Sequence, residues 1–238
     1  MIARPAHTHH HMSHHATPTI IALAGYAGAG KDSAADILVK HAGFHKIAFA
    51  DALRGEVARG FNVSRDLLED RSKKELPQAA LALRYAPAEF LGSLLRTEHG
   101  NLHLDEPRTP RTILQLWGTE YRRSQHPEYW VRQMTAELRT RAMWGLRRFV
   151  ITDCRFANEA AYVRRAAGLV WQIARPGLNA GTTPEGQHQS AADGSGFAPE
   201  VVLHNFGTLA DLRDRVLSAW WSHEAGASVT AVVAGATA

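Results

Sequence analysis

A doubly wound, five-stranded parallel α/β sheet is the fold this sequence predicts, and three observations predict it. Short apolar runs alternate with segments whose apolar residues recur at helical spacing, the pattern of β-α-β units. The first run, 19–24, leads into the glycine-rich stretch Gly25-Tyr26-Ala27-Gly28-Ala29-Gly30-Lys31-Asp32-Ser33. A later run, from Arg148 to Ile151, continues into Thr152-Asp153.

Composition bounds the reading. The 238 residues suffice for one substantial core, and 45% apolar with 21% charged content is ordinary for a globular protein. No apolar run approaches the ~18 residues that span a bilayer. With Cys154 the single cysteine, no intrachain disulfide can form, which fits a reducing cytoplasm. A net charge of +4 suits small anionic substrates and would also suit weak nucleic-acid contact. Residues 1–17 hold His7, His9, His10, His11, His14 and His15 without apolar periodicity, and read as a disordered leader. Residues 225–238 read as a flexible tail, leaving 18–224 as one domain.

Gly25, Gly30 and Lys31 have the spacing of a phosphate-binding loop. Glycines let backbone N–H groups turn toward phosphate oxygens, and the following helix adds unpaired N–H groups and a positive dipole end. Lys31 supplies a point charge for the β- and γ-phosphates. Asp32 stands where a Ser or Thr usually holds Mg²⁺, and the hydroxyl comes one place later, at Ser33. The first helix is expected over 30–41, with Gly43 ending it. Residues 46–50 read as a second strand ending at Asp51, and 52–61 as a helix with Leu53, Val57 and Phe61 on one face.

Residues 62–108 read as a helical and loop excursion punctuated by Pro77, Pro87 and Pro107, the start of an insertion expected to run to about 147. Arg71, Lys73 and Lys74 could meet an anion, although a solvated charged face is the commoner meaning of such a run. Thr109 caps an expected helix with Pro110 at its first position. Ile113, Leu114, Trp117 and Tyr121 form its apolar face, and Arg111, Gln115, Gly118 and Arg122 share another stripe. Arg can grip a phosphate, Gln can read a base edge and Gly lets a flat ring approach. A helix from His126-Pro127 places Trp130, Met134 and Leu138 four apart. The strand 148–153 ends in a carboxylate suited to Mg²⁺, with Arg155 and Asn158 just beyond it, where open α/β sheets bind ligands. A helix at 158–166, a strand at 169–174, a lid loop at 177–199 containing His188, a strand at 201–204 and a helix capped by Thr208 complete the chain.

These residues resemble the deoxynucleoside monophosphate kinases of bacteriophages, within the P-loop nucleoside monophosphate kinase fold. The resemblance rests on Gly28-Ala29-Gly30-Lys31-Asp32-Ser33, Phe49-Ala50-Asp51-Ala52-Leu53, and Leu114-Gln115-Leu116-Trp117-Gly118-Thr119-Glu120 with His126-Pro127 and Tyr129-Trp130. It continues through Thr152-Asp153-Cys154-Arg155-Phe156-Ala157-Asn158-Glu159, Arg175-Pro176-Gly177 and Asn205 with Gly207-Thr208-Leu209. Ala52 stands where the family usually has Pro, Arg54 where Lys is common, and Ala191 follows His188-Gln189-Ser190 in place of a Glu.

The resemblance implies ATP-dependent phosphoryl transfer to a deoxynucleoside 5′-monophosphate, with ATP held by Gly25, Gly28, Ala29, Gly30, Lys31, Asp32 and Ser33 and by Asn205 and Gly207 near adenine. It implies Mg²⁺ at Asp32 and Asp153. Arg155 and Arg111 are expected at the acceptor phosphate or transition-state charge. Asp51 is expected to orient Arg54, metal-bound water or the acceptor. Gln115, Gly118 and Thr119 are expected to meet the nucleoside, and Trp130 to stack on it or to pack. The expected partners are small-molecule nucleotides, with no membrane, no nucleic acid and a homodimer left open. Two alternatives are a kinase of the same fold with a different acceptor, of the dephospho-coenzyme A or phosphomevalonate type, and a non-catalytic nucleotide-binding protein.

Overall fold

Five parallel strands form one sheet in the order β2-β3-β1-β4-β5. The computed structural model describes residues 18–97, 102–178 and 196–226. The His-rich leader, residues 179–195 of the expected lid (His188 included) and the tail from 227 lie outside the described residues. The strands are β1 (Thr19–Ala24), β2 (His45–Ile47), β3 (Arg148–Ile151), β4 (Leu169–Ala174) and β5 (Val201–His204). β1 is central, with Ile20 opposite Phe149 of β3 and Ala22 opposite Val170 of β4.

Helices cover both faces, as a doubly wound sheet requires. Alternate residues of β1 explain why: Ile21 and Leu23 face one layer, and Ile20, Ala22 and Ala24 the other. The first layer is α1 (Lys31–Ala42) and α8 (Leu209–Glu224), which bury Leu38, Leu212, Val216 and Trp220 against Trp171 and Ile173. The second holds α2 (Phe49–Phe61), α3 (Arg65–Glu69), α4 (Ala88–Thr97), α5 (Pro110–Gln115), α6 (Tyr129–Met143) and α7 (Ala157–Arg165). Phe90, Trp117 and Tyr121 stack at its centre, with centroids 4.8–5.5 Å apart.

Local chemistry sets most boundaries. Gly43, at φ +69°, closes α1, and its N–H reaches the carbonyl of Leu38. Thr109 caps α5 by accepting from the N–H of Thr112, with Pro110 in the first turn. Thr208 and Asp211 form a reciprocal capping box on α8. Leu53, Val57 and Phe61 turn to the core as their spacing requires. Trp130, Met134 and Leu138 are buried along α6.

Two elements differ from expectation. The second strand stops at Ile47, and Phe49 and Ala50 are the first turn of α2, because Asp153 caps that turn from outside the local sequence. The helix from Pro110 changes pitch: Leu116–Arg123 is π-helical. Its i→i+5 spacing breaks the stripe that a uniform α-helix would give Arg111, Gln115, Gly118 and Arg122. Arg122 instead donates to Glu56 at 2.8 Å and lies over the rings of Tyr121 and Tyr129.

The turn from α7 into β4 depends on the absence of a side chain at Gly168. A Cβ there would stand 2.8 Å from the Ile20 carbonyl and 2.9 Å from Val163. Gly168→Ala is expected to lower stability by about 1–3 kcal/mol through overpacking, read as the shift of a urea denaturation midpoint.

Candidate active site

The site gathers at the carboxyl edge of the sheet, where β1, β3, β4 and β5 end beside the glycine loop. Between β1 and α1 the chain takes positive φ at Gly25 (132°), Gly28 (80°) and Gly30 (104°). A Cβ on Gly25 would collide with the Ile173 carbonyl oxygen, and one on Gly30 with the Asn205 amide. Glycine is therefore needed both for backbone conformation and for close packing on β4 and the start of the β5–α8 loop. Asn205 donates from Nδ2 to the Ala29 carbonyl at 2.8 Å. It braces the loop from below, with Ala29 itself buried. Gly207 sits inside the turn closed by Thr208 and Asp211, where a Cβ would strike the Asp211 carboxylate. Ser33 lies half-buried in the first turn of α1.

Lys31 folds back onto its own loop. Its Nζ donates to the carbonyls of Gly25, at 2.5 Å, and Tyr26, at 2.8 Å. Partial burial, then the nearby Arg155 cation, pushes its pKa down from 10.5 to about 8, while Asp32 and Asp153 pull the other way. Lys31 thus has carbonyl dipoles where a phosphate would supply full negative charge. Asp32, exposed in the first turn of α1, is ion-paired with Arg71 from the insertion.

Asp153 follows β3 and uses both oxygens on α2. Oδ1 accepts from the N–H of Phe49 at 2.8 Å and Oδ2 from that of Ala50 at 2.9 Å. A carboxylate at this helix start satisfies two orphan donors and complements the dipole. Asp51 closes the same turn by accepting from the Ala48 N–H, and its other oxygen receives Arg54 at 3.3 Å and Arg65 at 3.1 Å. The Arg54 contact is one of the roles expected for Asp51.

Arg155 is a like charge that disfavours the charged forms of both Lys31 and Lys74, and Arg111 and Arg54 act on Lys74 in the same sense. Arg111 is clamped by Glu75, Nε to Oε1 at 2.5 Å. Arg155 does not pair its guanidinium with Glu159 as its spacing allowed; its backbone N–H donates to Glu159 at 2.8 Å. The ion partner of Glu159 is Arg123, which lies over the Phe156 ring. Glu159 is 2% exposed, and burial pushes its carboxyl up to about 7.

Trp130 and Gly118 lie in the core beneath the site. Trp130 is 3% exposed and donates from its indole N–H to the Gly118 carbonyl at 3.0 Å, so its position is one of packing, not of a ring platform. A Cβ on Gly118 would press on Leu53 at 3.1 Å, which gives this glycine a role in closing α2 against the π-helix. Gln115 and Thr119 remain half-buried on that element. Burial pushes the Cys154 thiol well above its ordinary range, which keeps it protonated and inert.

Two further cations stand near the site: Lys74, which the sequence offered for an anion only as the less usual reading of its charge run, and Arg175. Lys74 hides in a charge run and is half-buried. Arg175, immediately after β4, reaches the Gly28 carbonyl at 3.4 Å. Its place at a strand's carboxyl end was the signal that could have found it.

A divalent cation and a nucleoside triphosphate fit these residues. Mg²⁺ sites commonly use one or two carboxylates with substrate phosphates and water. Asp32 is exposed beside Lys31, and the Asp153 oxygens retain accepting capacity beyond the two N–H groups they hold. No cluster of three or more potential metal-ligating side chains occurs among the described residues. Asp153→Ala is expected to lower stability by about 1–2 kcal/mol through loss of the α2 cap, measured by urea denaturation of the ligand-free protein.

No protein-family model matches the sequence. The chain is 24% identical over 216 residues to a protein of Acanthamoeba polyphaga mimivirus named "Putative deoxynucleotide monophosphate kinase", covering 84% of this chain and 94% of that one. Among solved structures it is similar to dephospho-CoA kinase from Campylobacter jejuni, with 15% identity and a TM-score of 0.43 over 87% of this chain and 98% of that one. It is also similar to TT1252 from Thermus thermophilus, with 20% identity and a TM-score of 0.43 over 87% and 97% of the two chains.

Proposed function

We propose that this protein is a P-loop kinase that transfers the γ-phosphoryl group of ATP to a deoxynucleoside 5′-monophosphate. The observation that carries the reading is the glycine loop of positive-φ residues with Lys31 folded over it at the carboxyl edge of the sheet, tied by the Asp32–Arg71 pair to the insertion that carries Arg111. A phosphate-bearing donor and a phosphate-bearing acceptor that meet end to end call for cations on both of these elements. The mimivirus relative and the blocks shared with phage-type enzymes support a nucleotide acceptor.

Phosphoryl transfer of this kind is governed by positioning and charge stabilisation. The 25–33 backbone and Lys31 hold the triphosphate, with Asn205 and Gly207 supporting the loop near the base. Arg155 stands between donor and acceptor, where its forked donors stabilise charge on the transferring group. Arg111 and Arg54 face the acceptor phosphate, and Asp51 orients Arg54. Gln115 and Thr119 meet the nucleoside, while Gly118 and Trp130 support them from below. Asp32 and Asp153 would hold Mg²⁺ directly or through water, which supplies bridging of the donor phosphates and neutralisation of their charge. The acceptor oxygen is already anionic, so no general base is required. Residues 18–224 act as one kinase domain, with 62–147 as the acceptor insertion and 177–199 as its lid.

Incubation of the full chain with ATP and Mg²⁺ against a panel of ribo- and deoxynucleoside monophosphates, read by mass change, is expected to give the diphosphate of at least one deoxynucleotide. No diphosphate from any member of the panel would overturn the reading. A separate expectation concerns Lys31. In the ligand-free protein its pKa is near 8, and bound phosphate returns it toward 10.5, so ATP binding takes up a proton in that interval. Affinity should therefore fall as pH rises above about 8. Calorimetry in buffers of different ionisation enthalpy should detect the uptake in wild type, and Lys31→Met should remove it while weakening binding.

A further inference from the structure

Within the insertion run Arg71-Ser72-Lys73-Lys74, the cations differ in how they are satisfied. Arg71 pairs with Asp32 and Lys73 with Asp70, at 3.1 Å for the latter. Among the described residues no carboxylate lies within ion-pair distance of the Lys74 ammonium, its backbone is bonded to that of Arg111, and Arg111, Arg155 and Arg54 act on it as like charges against Glu75. Glu75 is already engaged by Arg111. Arg54 has its own unmet donor: its buried Nε lacks a hydrogen-bond partner.

The backbone presents Lys74 firmly. Its carbonyl accepts from the Arg111 N–H at 3.2 Å, and the turn before it is closed by Lys73 N–H to the Asp70 carbonyl. Leu76 N–H then bonds the Lys73 carbonyl at 2.9 Å, and Asp70 holds both the N–H and the hydroxyl of Ser72. A lysine on a solvated face would extend into water away from three guanidinium groups. This one is half-buried on a turn bonded to Arg111 and has no carboxylate partner among the described residues, which costs free energy unless an anion is delivered there.

We infer that Lys74 is a further binding residue of this site, taking the phosphate of the acceptor together with Arg54 and Arg111, so that the insertion selects a phosphate monoester dianion over an uncharged hydroxyl acceptor. The inference rests on the kinase reading above for which substrate brings that phosphate. Two forked guanidinium groups and one ammonium suit a group with three oxygens and two negative charges better than a carboxylate. Burial and the neighbouring arginines push the Lys74 pKa down to about 8, in keeping with a cation that lacks its counterion.

Calorimetric titration of the full chain separates these ideas. The probes are the four deoxynucleoside 5′-monophosphates, 2-deoxyribose 5-phosphate, the four deoxynucleosides and ADP, on wild type, Lys74→Met and Lys74→Arg. Lys74→Met is expected to weaken phosphate-monoester binding at least 10-fold and to leave ADP within about twofold, with Lys74→Arg recovering most of the loss, since an exposed ion pair would contribute far less. Retained ADP binding shows that the variant is folded. Wild-type-like monoester binding by Lys74→Met would overturn the inference, as would an equal loss of ADP or a wild type that binds no monoester. If 2-deoxyribose 5-phosphate binds in a Lys74-dependent way but no nucleotide does, the role of Lys74 stands and the nucleotide reading falls.

Discussion

The two N–H···O bonds from α2 to Asp153 hold the molecule's two halves in register. Asp153 belongs to the end of β3, next to the central strand, while α2 carries Asp51, Arg54 and Glu56 toward the insertion. Capping is worth only about 1 kcal/mol in stability, yet here it fixes the origin of a helix whose later turns support everything above it. Glu56, two turns along α2, accepts from the Trp117 indole, the Arg122 guanidinium and the Tyr129 hydroxyl. A single carboxylate thereby joins α2, the π-helix and α6. Burial, then the bond to Glu56, pushes the Tyr129 hydroxyl up to about 12, so it remains a donor throughout the ordinary pH range.

That frame holds an arrangement that opposes folding. Arg155 disfavours the charged forms of both Lys31 and Lys74, Arg111 and Arg54 that of Lys74, and both lysines also lose hydration. The anions that offset this are peripheral: Asp32 holds Arg71, Asp51 holds Arg54 and Arg65, and Glu75 holds Arg111. Each of these pairs is between described residues and tethers a guanidinium. A field of like cations favours polyanionic ligands and strengthens as water leaves the site. Strain of this kind is a common feature of binding sites, and it is supported here by a sheet buried on both faces.

Much of this was legible in sequence because it is local. The glycine loop, the three capping motifs at Gly43, Thr109 and Thr208, and the apolar periodicity of α2, α6 and α8 each depend on residues a few positions apart. The paired roles at Asp51 and Arg54 are three residues apart and were legible for the same reason. What sequence did not show depends on distant partners. Phe49 and Ala50 read as strand because nothing nearby reveals that Asp153 caps them. The pitch change after Gln115 accompanies the packing of Trp117 and Tyr121 around the distant Phe90, and it breaks a stripe that assumed one uniform helix. Lys74 sits beside Lys73 with the same side chain; only the fold makes one an exposed partner of Asp70 and the other a half-buried neighbour of Arg155.

Asp32 stands next to Lys31 in the first turn of α1 and joins it to the insertion. A carboxylate in the first turn of α1 is favoured by the helix dipole and lies beside the lysine that the loop has most to stabilise. A hydroxyl in its place could not hold Arg71 through an ion pair. With a carboxylate there, the phosphate loop is tied to the turn at 70–76 that also presents Lys74. A divalent cation held at Asp32 would share that carboxylate with Arg71. The loop's departure from the usual hydroxyl therefore joins the glycine loop to the insertion through one exposed ion pair.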